Sequence, residues 1–313
     1  MDSSFRLPIN TYYEERRRRF GGWHLRETER CAEVNLAMAL VAMTRALIAI
    51  VAFIIAGLGL SIIAIAGPID DAVAARLKGD YAAALRILRP LADKGDAIAQ
   101  SNLGFMFANG QGVPLNRTEA AKWYRLAAEQ GRAAAQYNLG RMYVKGEGVP
   151  HDPAEAVKWW RAAAEQGHSA AQFNLGIMYA QGLGVGRNDI EAVKWWRAAA
   201  EQGDAFAEYN LGLAYANAQG VVKNLAEAAK WYRLAADKGH GPAQVNLGLM
   251  YQNGYGLPQD HVRAYMWFNL AASKGYKLGV KSRDDIVKRM TAAQIAEAQK
   301  LTRDWKPVEQ STR

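Results

Sequence analysis

The chain has 313 residues, half of them apolar, 22% charged and 10% aromatic, and a formal net charge of +9. That balance belongs to a folded domain or an elongated array, and excludes a disordered, collagenous or fibrous chain. The single cysteine, Cys31, excludes an intramolecular disulfide and any Cys-based zinc site.

Residues 1–45 hold eight Lys or Arg and six Asp or Glu. The cluster Arg17-Arg18-Arg19-Phe20 reads as solvated charge on a cytoplasmic leader. Residues 46–66 follow as ALIAIVAFIIAGLGLSIIAIA, 21 residues without a charge. A helix of that length spans ~31 Å at ~1.5 Å per residue, close to the ~30 Å hydrocarbon core. Arginines precede the run and Asp70 and Asp71 follow it. The positive-inside rule then predicts an inner-membrane single pass, with the N-terminus cytoplasmic and the bulk of the chain periplasmic. Ala64-Ile65-Ala66 also matches the small-x-small pattern of a signal cleavage site. Cleavage after Ala66 would make the product periplasmic. On that reading translation opens at Met43 or Met38, and 1–45 is an artefact of the assigned start. Anchor and cleaved signal both remain open at this stage.

Beyond residue 67 the chain repeats itself. Asn-Leu-Gly recurs at 102–104, 138–140, 174–176, 210–212 and 246–248, always 36 residues apart. Gly95, Gly131, Gly167, Gly203, Gly239 and Gly275 keep the same period, as do the pairs Trp123/Tyr124, Trp159/Trp160, Trp195/Trp196, Trp231/Tyr232 and Trp267/Phe268. Five units therefore fill 96–275, preceded by a degenerate half-unit at 67–95 that carries Pro90 inside a helix it should kink.

Each unit reads as two helices. In 132–167, helix A is predicted from Ala133 to Lys145, with Leu139, Met142 and Tyr143 at helical spacing. Gly146 and Gly148 stop it. Asp152 caps helix B, Pro153 fits its first position and Glu155 suggests a capping box. Asn116, Asn188, Asn224 and Asp260 hold the equivalent cap. Glu119/Lys122, Glu155/Lys158, Glu191/Lys194 and Glu227/Lys230 are i,i+3 pairs on an exposed face. The tryptophan between Lys and Arg is expected to face the core, as a knob against repeated Ala and Gly. Helices are also expected at 279–290 and 292–305, the second opened by a capping box at Thr291 and Gln294, so that 276–313 caps the array and ends in a frayed tail.

The unit A-x-x-N-L-G-x-M-Y-x-x-G-x-G-V-x-x-(D/N)-x-x-E-A-x-K-W-x-R-x-A-A-E-Q-G resembles the Sel1-like repeat, a relative of the tetratricopeptide repeat. Ala218 in place of the first loop glycine, and Gly186 and Val222 in place of the loop proline, are small departures. The resemblance implies an all-α, right-handed α/α solenoid, here preceded by one transmembrane or signal helix. It also implies a scaffold for protein–protein interactions, often exported and acting in the bacterial envelope. One branch of the family carries disulfides in every repeat and is linked with β-lactam binding or hydrolysis. No repeat here has a cysteine, so that implication does not transfer.

No catalytic, cofactor or metal constellation is legible, and no enzymatic activity is expected. His151, His168, His240 and His261 fall in separate loops, read as solvated. There is no G-x-S-x-G, S-x-x-K or P-loop. The positive charge is spread thinly along the repeats, unlike a nucleic-acid groove. The informative variation lies on helix A. The residues flanking Asn-Leu-Gly include Tyr137, Arg141, Phe173, Ile177, Tyr209 and Leu213, four apart and on one face. In a solenoid the A helices line the inner surface. These six are the candidate partner-binding residues, although the same spacing also serves packing between helices. The expected function is a membrane-anchored or exported scaffold with a protein or peptide partner from the envelope. The alternative is an envelope enzyme or binding protein for cell-wall or β-lactam-like ligands.

Overall fold

The computed structural model describes residues 67–308, and every regular element among them is an α-helix. In chain order these are α1 (Pro68–Leu77), α2 (Tyr81–Asp93), α3 (Ala97–Asn109), α4 (Arg117–Glu129), α5 (Ala133–Lys145), α6 (Pro153–Glu165), α7 (Ser169–Gln181), α8 (Asp189–Glu201), α9 (Ala205–Asn217), α10 (Leu225–Asp237), α11 (Gly241–Asn253), α12 (His261–Ser273), α13 (Lys277–Val287) and α14 (Ala292–Asp304). Each helix A packs on its own helix B, as α3 does on α4 and α9 on α10, and neighbouring repeats join through B-to-A contacts such as α8 with α9. The result is an all-helical solenoid. The described residues fall into two compact units, one comprising 67–135 and 147–149, the other 136–146 and 150–308. The apolar run 46–66 lies outside the described residues. Among these, no helix is long and apolar enough to cross a membrane.

The loop between A and B is tied at both ends. Helix A closes on a left-handed residue, as at Gly182 (φ 69°). Six residues on, the N-cap of helix B is set. Asp152 accepts from the N–H groups of Ala154 and Glu155 at 3.0 and 3.1 Å, and Asn116 from Glu119 at 3.0 Å. The expected capping box with Glu155 is absent for a physical reason. The N–H of Asp152 already donates to the Tyr143 carbonyl of helix A at 3.0 Å, and Asn116, Asn188, Asn224 and Asp260 repeat that bond. Glu155 turns instead to Lys158, 3.3 Å away, one of four such exposed i,i+3 pairs.

The knob-and-glycine packing forms, but with the other aromatic of each pair. Tyr124, Trp160, Trp196, Tyr232 and Phe268 are the buried residues, each at most 6% exposed. They lie on Gly104, Gly140, Gly176, Gly212 and Gly248 of the partner helix, and a Cβ at Gly140 would stand 2.6 Å from the Trp160 ring. Trp160 also donates its Nε1–H to the Tyr137 carbonyl at 3.0 Å. Successive helix residues are about 100° apart, so only one of two adjacent aromatics can face helix A. Trp123, Trp159, Trp195 and Trp231 are therefore only half-buried, with Lys158 and Lys194 over the rings of Trp159 and Trp195 at 5.5 and 5.4 Å. Trp267 alone of the series is fully buried.

Polar bonds also stitch the repeats. Gln172, buried on α7, donates to the Ala164 carbonyl of the preceding helix B at 3.0 Å and accepts from Gln202 at the end of α8 at 2.7 Å. Gln100 with Gln130, and Gln136 with Gln166, form the same amide pair at 2.7 and 2.8 Å. The second glycine of each loop presses on the first turn of the preceding helix B. A side chain on Gly184 would collide with the Pro153 carbonyl.

At the N-terminal end α2 runs through Pro90 unbroken, because Pro90 sits on its exposed face, where the freed carbonyl meets water. At the other end, α14 opens with the expected Thr291–Gln294 capping box and packs on α12. Trp305 meets Trp267 edge-on at 6.2 Å, and the Val308 N–H donates to the Asp237 carbonyl at 2.8 Å.

Candidate interaction surface

The six candidate residues separate into two groups. Tyr137, Arg141, Phe173 and Ile177 are half-buried. Tyr209 and Leu213 are 5% and 4% exposed, so both are core residues, and the expectation that they face a ligand is corrected. The Tyr209 ring lies tilted against His240 of the following repeat at 4.8 Å and against Tyr232 of its own repeat at 5.8 Å. Tyr137 makes the corresponding contact with His168 at 4.6 Å, and Phe173 with Phe206 at 6.0 Å. Part of this row is therefore inter-repeat packing, and the open remainder is the outer edge of Tyr137, Arg141, Phe173 and Ile177.

Arg141 is the distinctive member. Its guanidinium lies 5.8 Å from the centre of the Tyr137 ring and forms no ion pair among the described residues. The sequences of α3, α5, α7 and α11 contain no Asp or Glu. The helix-A surface is thus apolar with a free cation, whereas the helix-B lysines each have their own glutamate.

Three of the four histidines are not solvated loop residues, which corrects the earlier expectation; His261 is the first residue of α12, with its Nε2 buried. His168 and His240 are N-caps of α7 and α11, their Nδ1 atoms accepting from the N–H groups of Ala171 and Ala243, each at 3.3 Å. They stand where Asp96 and Asp204 cap α3 and α9. Burial pushes the His168 imidazole below its ordinary pKa. The sequence signal was available in that register, Asp96, His168, Asp204 and His240 being in phase with the repeat. His151 instead lies on the exposed loop with Nδ1 2.8 Å from the Val144 carbonyl.

Among the described residues no group of three or more His, Cys, Asp or Glu side chains converges to hold a metal. A recess of about 290 Å³ lies between Lys122, Arg125 and Leu126 of α4 and the Gly148–Val149 loop. Its Thr118 hydroxyl has no base among the residues that line it.

The family model for the Sel1 repeat matches residues 97–131, 133–168, 169–204, 205–240 and 241–276, more than half of the chain. The chain belongs to the Sel1 repeat family. A crystal structure of a Sel1 repeat protein from Oxalobacter formigenes is similar at 36% identity, covering 75% of this chain and 96% of that one, with a TM-score of 0.67. A protective antigen of uropathogenic Escherichia coli with an SLR fold is 28% identical over 72% of this chain, which spans 64% of the antigen, with a TM-score of 0.38. Comparison with curated proteins gives no match. Sel1 repeat proteins are in general non-enzymatic scaffolds for protein–protein interaction.

Proposed function

We propose that this chain is a non-enzymatic Sel1 repeat scaffold, a right-handed solenoid that binds an envelope protein or peptide through Tyr137, Arg141, Phe173 and Ile177. The observation that carries the reading is Arg141, a cation on an apolar helix-A face with an aromatic ring but no carboxylate beside it. A bound partner would seat apolar side chains against Phe173 and Ile177 and place one carboxylate on the guanidinium. The 21-residue uncharged run 46–66 supports attachment to, or export across, the inner membrane, with the repeats periplasmic.

The test uses a photo-crosslinking residue at Ile177 in cells of the source organism. A discrete crosslinked protein, lost when Arg141→Glu is introduced and the melting temperature is unchanged, is the expected result. Crosslinking unaffected by Arg141→Glu would remove this face from the reading. Recovery of full-length protein in the soluble cytoplasm would remove the membrane part.

A further inference from the structure

The half-repeat at the start of the array carries a second unpaired guanidinium. Arg76 lies in the last turn of α1 and its guanidinium sits 4.8 Å from the centre of the Phe105 ring on α3. It forms no ion pair among the described residues, and its Nε–H is buried without a hydrogen-bond partner. Burial lowers its pKa from the ordinary arginine value, and the groups that offset this are the phenols of Tyr124 and Tyr81, not a carboxylate. A partly desolvated guanidinium with no anion beside it is costly, and a carboxylate brought to its terminal nitrogens would offset that cost.

The surroundings set the chemistry of what could bind. Ile98, Ser101 and Phe105 follow one another at i, i+3 and i+7, so they share a face of α3. Ile98 is 37% exposed, while Ser101 and Phe105 are half-buried. α3 has no acidic residue. Asp70 and Asp71 stand in the first turn of α1, at the opposite end from Arg76. Asp80, the nearest acid in sequence, is engaged as the N-cap of α2, accepting from the Ala83 N–H at 2.9 Å. The local field is therefore positive over an apolar strip, and no described residue of this unit is paired with Arg76 as its anion.

We infer that Arg76, with Phe105 and Ile98, is a receptor for a carboxylate side chain of an acidic, apolar peptide segment. The inference rests on the scaffold reading above but uses different residues, in the other compact unit. The planar guanidinium would hold the carboxylate through two N–H donors, and the Phe105 ring and Ile98 would take the flanking apolar side chain.

The probe is a short labelled peptide in which Glu alternates with Phe and Leu, compared with its Gln counterpart by fluorescence anisotropy on the full chain. Wild-type protein should prefer the Glu peptide, with an affinity that falls as salt rises. Arg76→Gln should weaken that binding by about 10- to 100-fold, the worth of a charge-assisted bond. Lys122→Gln, which removes a surface lysine already paired with Glu119, should leave it unchanged. Arg76→Lys keeps the charge without the planar fork and serves if Arg76→Gln fails to fold; it should lose severalfold. Equal binding of the Glu and Gln peptides, or full binding by folded Arg76→Gln, overturns the inference. Loss with Arg141→Gln alone overturns it while leaving the scaffold reading intact. Indifference to both variants overturns both.

Discussion

Glu208 and Lys238 form a buried ion pair where the first three repeats pair two glutamines. The Lys238 ammonium donates to Glu208 Oε1 and, at 2.9 Å, to the Gly203 carbonyl, while Glu208 Oε2 is buried without a partner. The positions match Gln100 with Gln130, Gln136 with Gln166 and Gln172 with Gln202, each 30 residues apart. An amide pair fills the same space without desolvating two charges, and a buried ion pair is often no more stable than a neutral replacement. Replacing both residues, Glu208→Gln with Lys238→Gln, should leave stability unchanged or raise it by about 1–4 kcal/mol. Lys238→Gln alone, which strands the carboxylate, should cost about 3–5 kcal/mol. A double-mutant cycle in urea measures both, and a double variant as unstable as the sum of the singles would refute the assignment.

The same pair gives the protein a pH signature. Burial raises the Glu208 carboxyl above its ordinary value of 4.5, outweighing the pull of Lys238, with Asp204 and Asp237 adding to the rise. The folded protein then keeps a proton at a pH where the unfolded chain has lost it. The contribution of Glu208 is thus most favourable near and below pH 4.5 and declines as pH rises through the folded value. His168 acts with the opposite sign. Its folded pKa lies below 6.5, so its contribution is complete above pH 6.5 and is lost as pH falls through the folded value. Stability curves of Glu208→Gln and His168→Asp, each subtracted from wild type, should slope in opposite directions between pH 4.5 and 6.5. Parallel slopes would contradict the assignment.

His168→Asp should in addition stabilise at neutral pH. The imidazole holds one N–H at 3.3 Å, whereas Asp96 in the same register holds two, at 2.9 and 2.8 Å. A carboxylate also favours a helix N-terminus, so a gain of about 0.5–1 kcal/mol is expected in chemical denaturation. The stacking of His168 on Tyr137 is lost in exchange, and a net loss would show that the ring contact outweighs the cap.

Much of this architecture is legible because the repeat states it five times. The spacing of Asn-Leu-Gly, the caps at Asp152 and its equivalents, and the bounds of α5 all follow from local rules that tertiary contacts then reinforce. What the sequence does not reveal is direction. Trp159 and Trp160 are both aromatic, and only the position of Gly140 across the helix pair decides which one is deep. Tyr209 and Leu213 occupy the same register as Tyr137 and Arg141 yet are buried, and since Tyr137 also has a histidine against its ring, register alone does not tell the depth of a side chain. Arg76 was invisible because a lone arginine in a degenerate half-repeat has no pattern to compare with, and its lack of a carboxylate is a fact of packing.

Ala218 is the one non-glycine residue with positive φ among the described residues, at 58°, in the position that glycine fills in the other repeats. The left-handed conformation costs an L-residue roughly 1–2 kcal/mol, and glycine returns about 0.5–1 of that as unfolded-state entropy. Ala218→Gly should therefore raise stability by about 0.5–1 kcal/mol, read as a higher denaturation midpoint at unchanged m-value. A decrease would mean that the Ala218 methyl makes contacts worth more than the strain.

The two tryptophans of the second repeat provide the last test, because they differ only in direction. Trp160 is 4% exposed, rests on Gly140 and gives its Nε1–H to the Tyr137 carbonyl. Trp159 is half-buried beneath Lys158, and its Nε1 has no hydrogen-bond partner. Trp160→Ala removes a buried ring, opens a cavity against a glycine that cannot fill it, and gives up the indole's hydrogen bond to a helix carbonyl; about 3–5 kcal/mol is expected. Trp159→Ala gives up partial burial and one cation–π contact and loses no hydrogen bond, so about 1–2 kcal/mol is expected. The order of the two matters more than either value. If Trp159→Ala proved the more damaging, the invariant tryptophan would carry the inter-repeat packing, and the glycine contact would be incidental to stability.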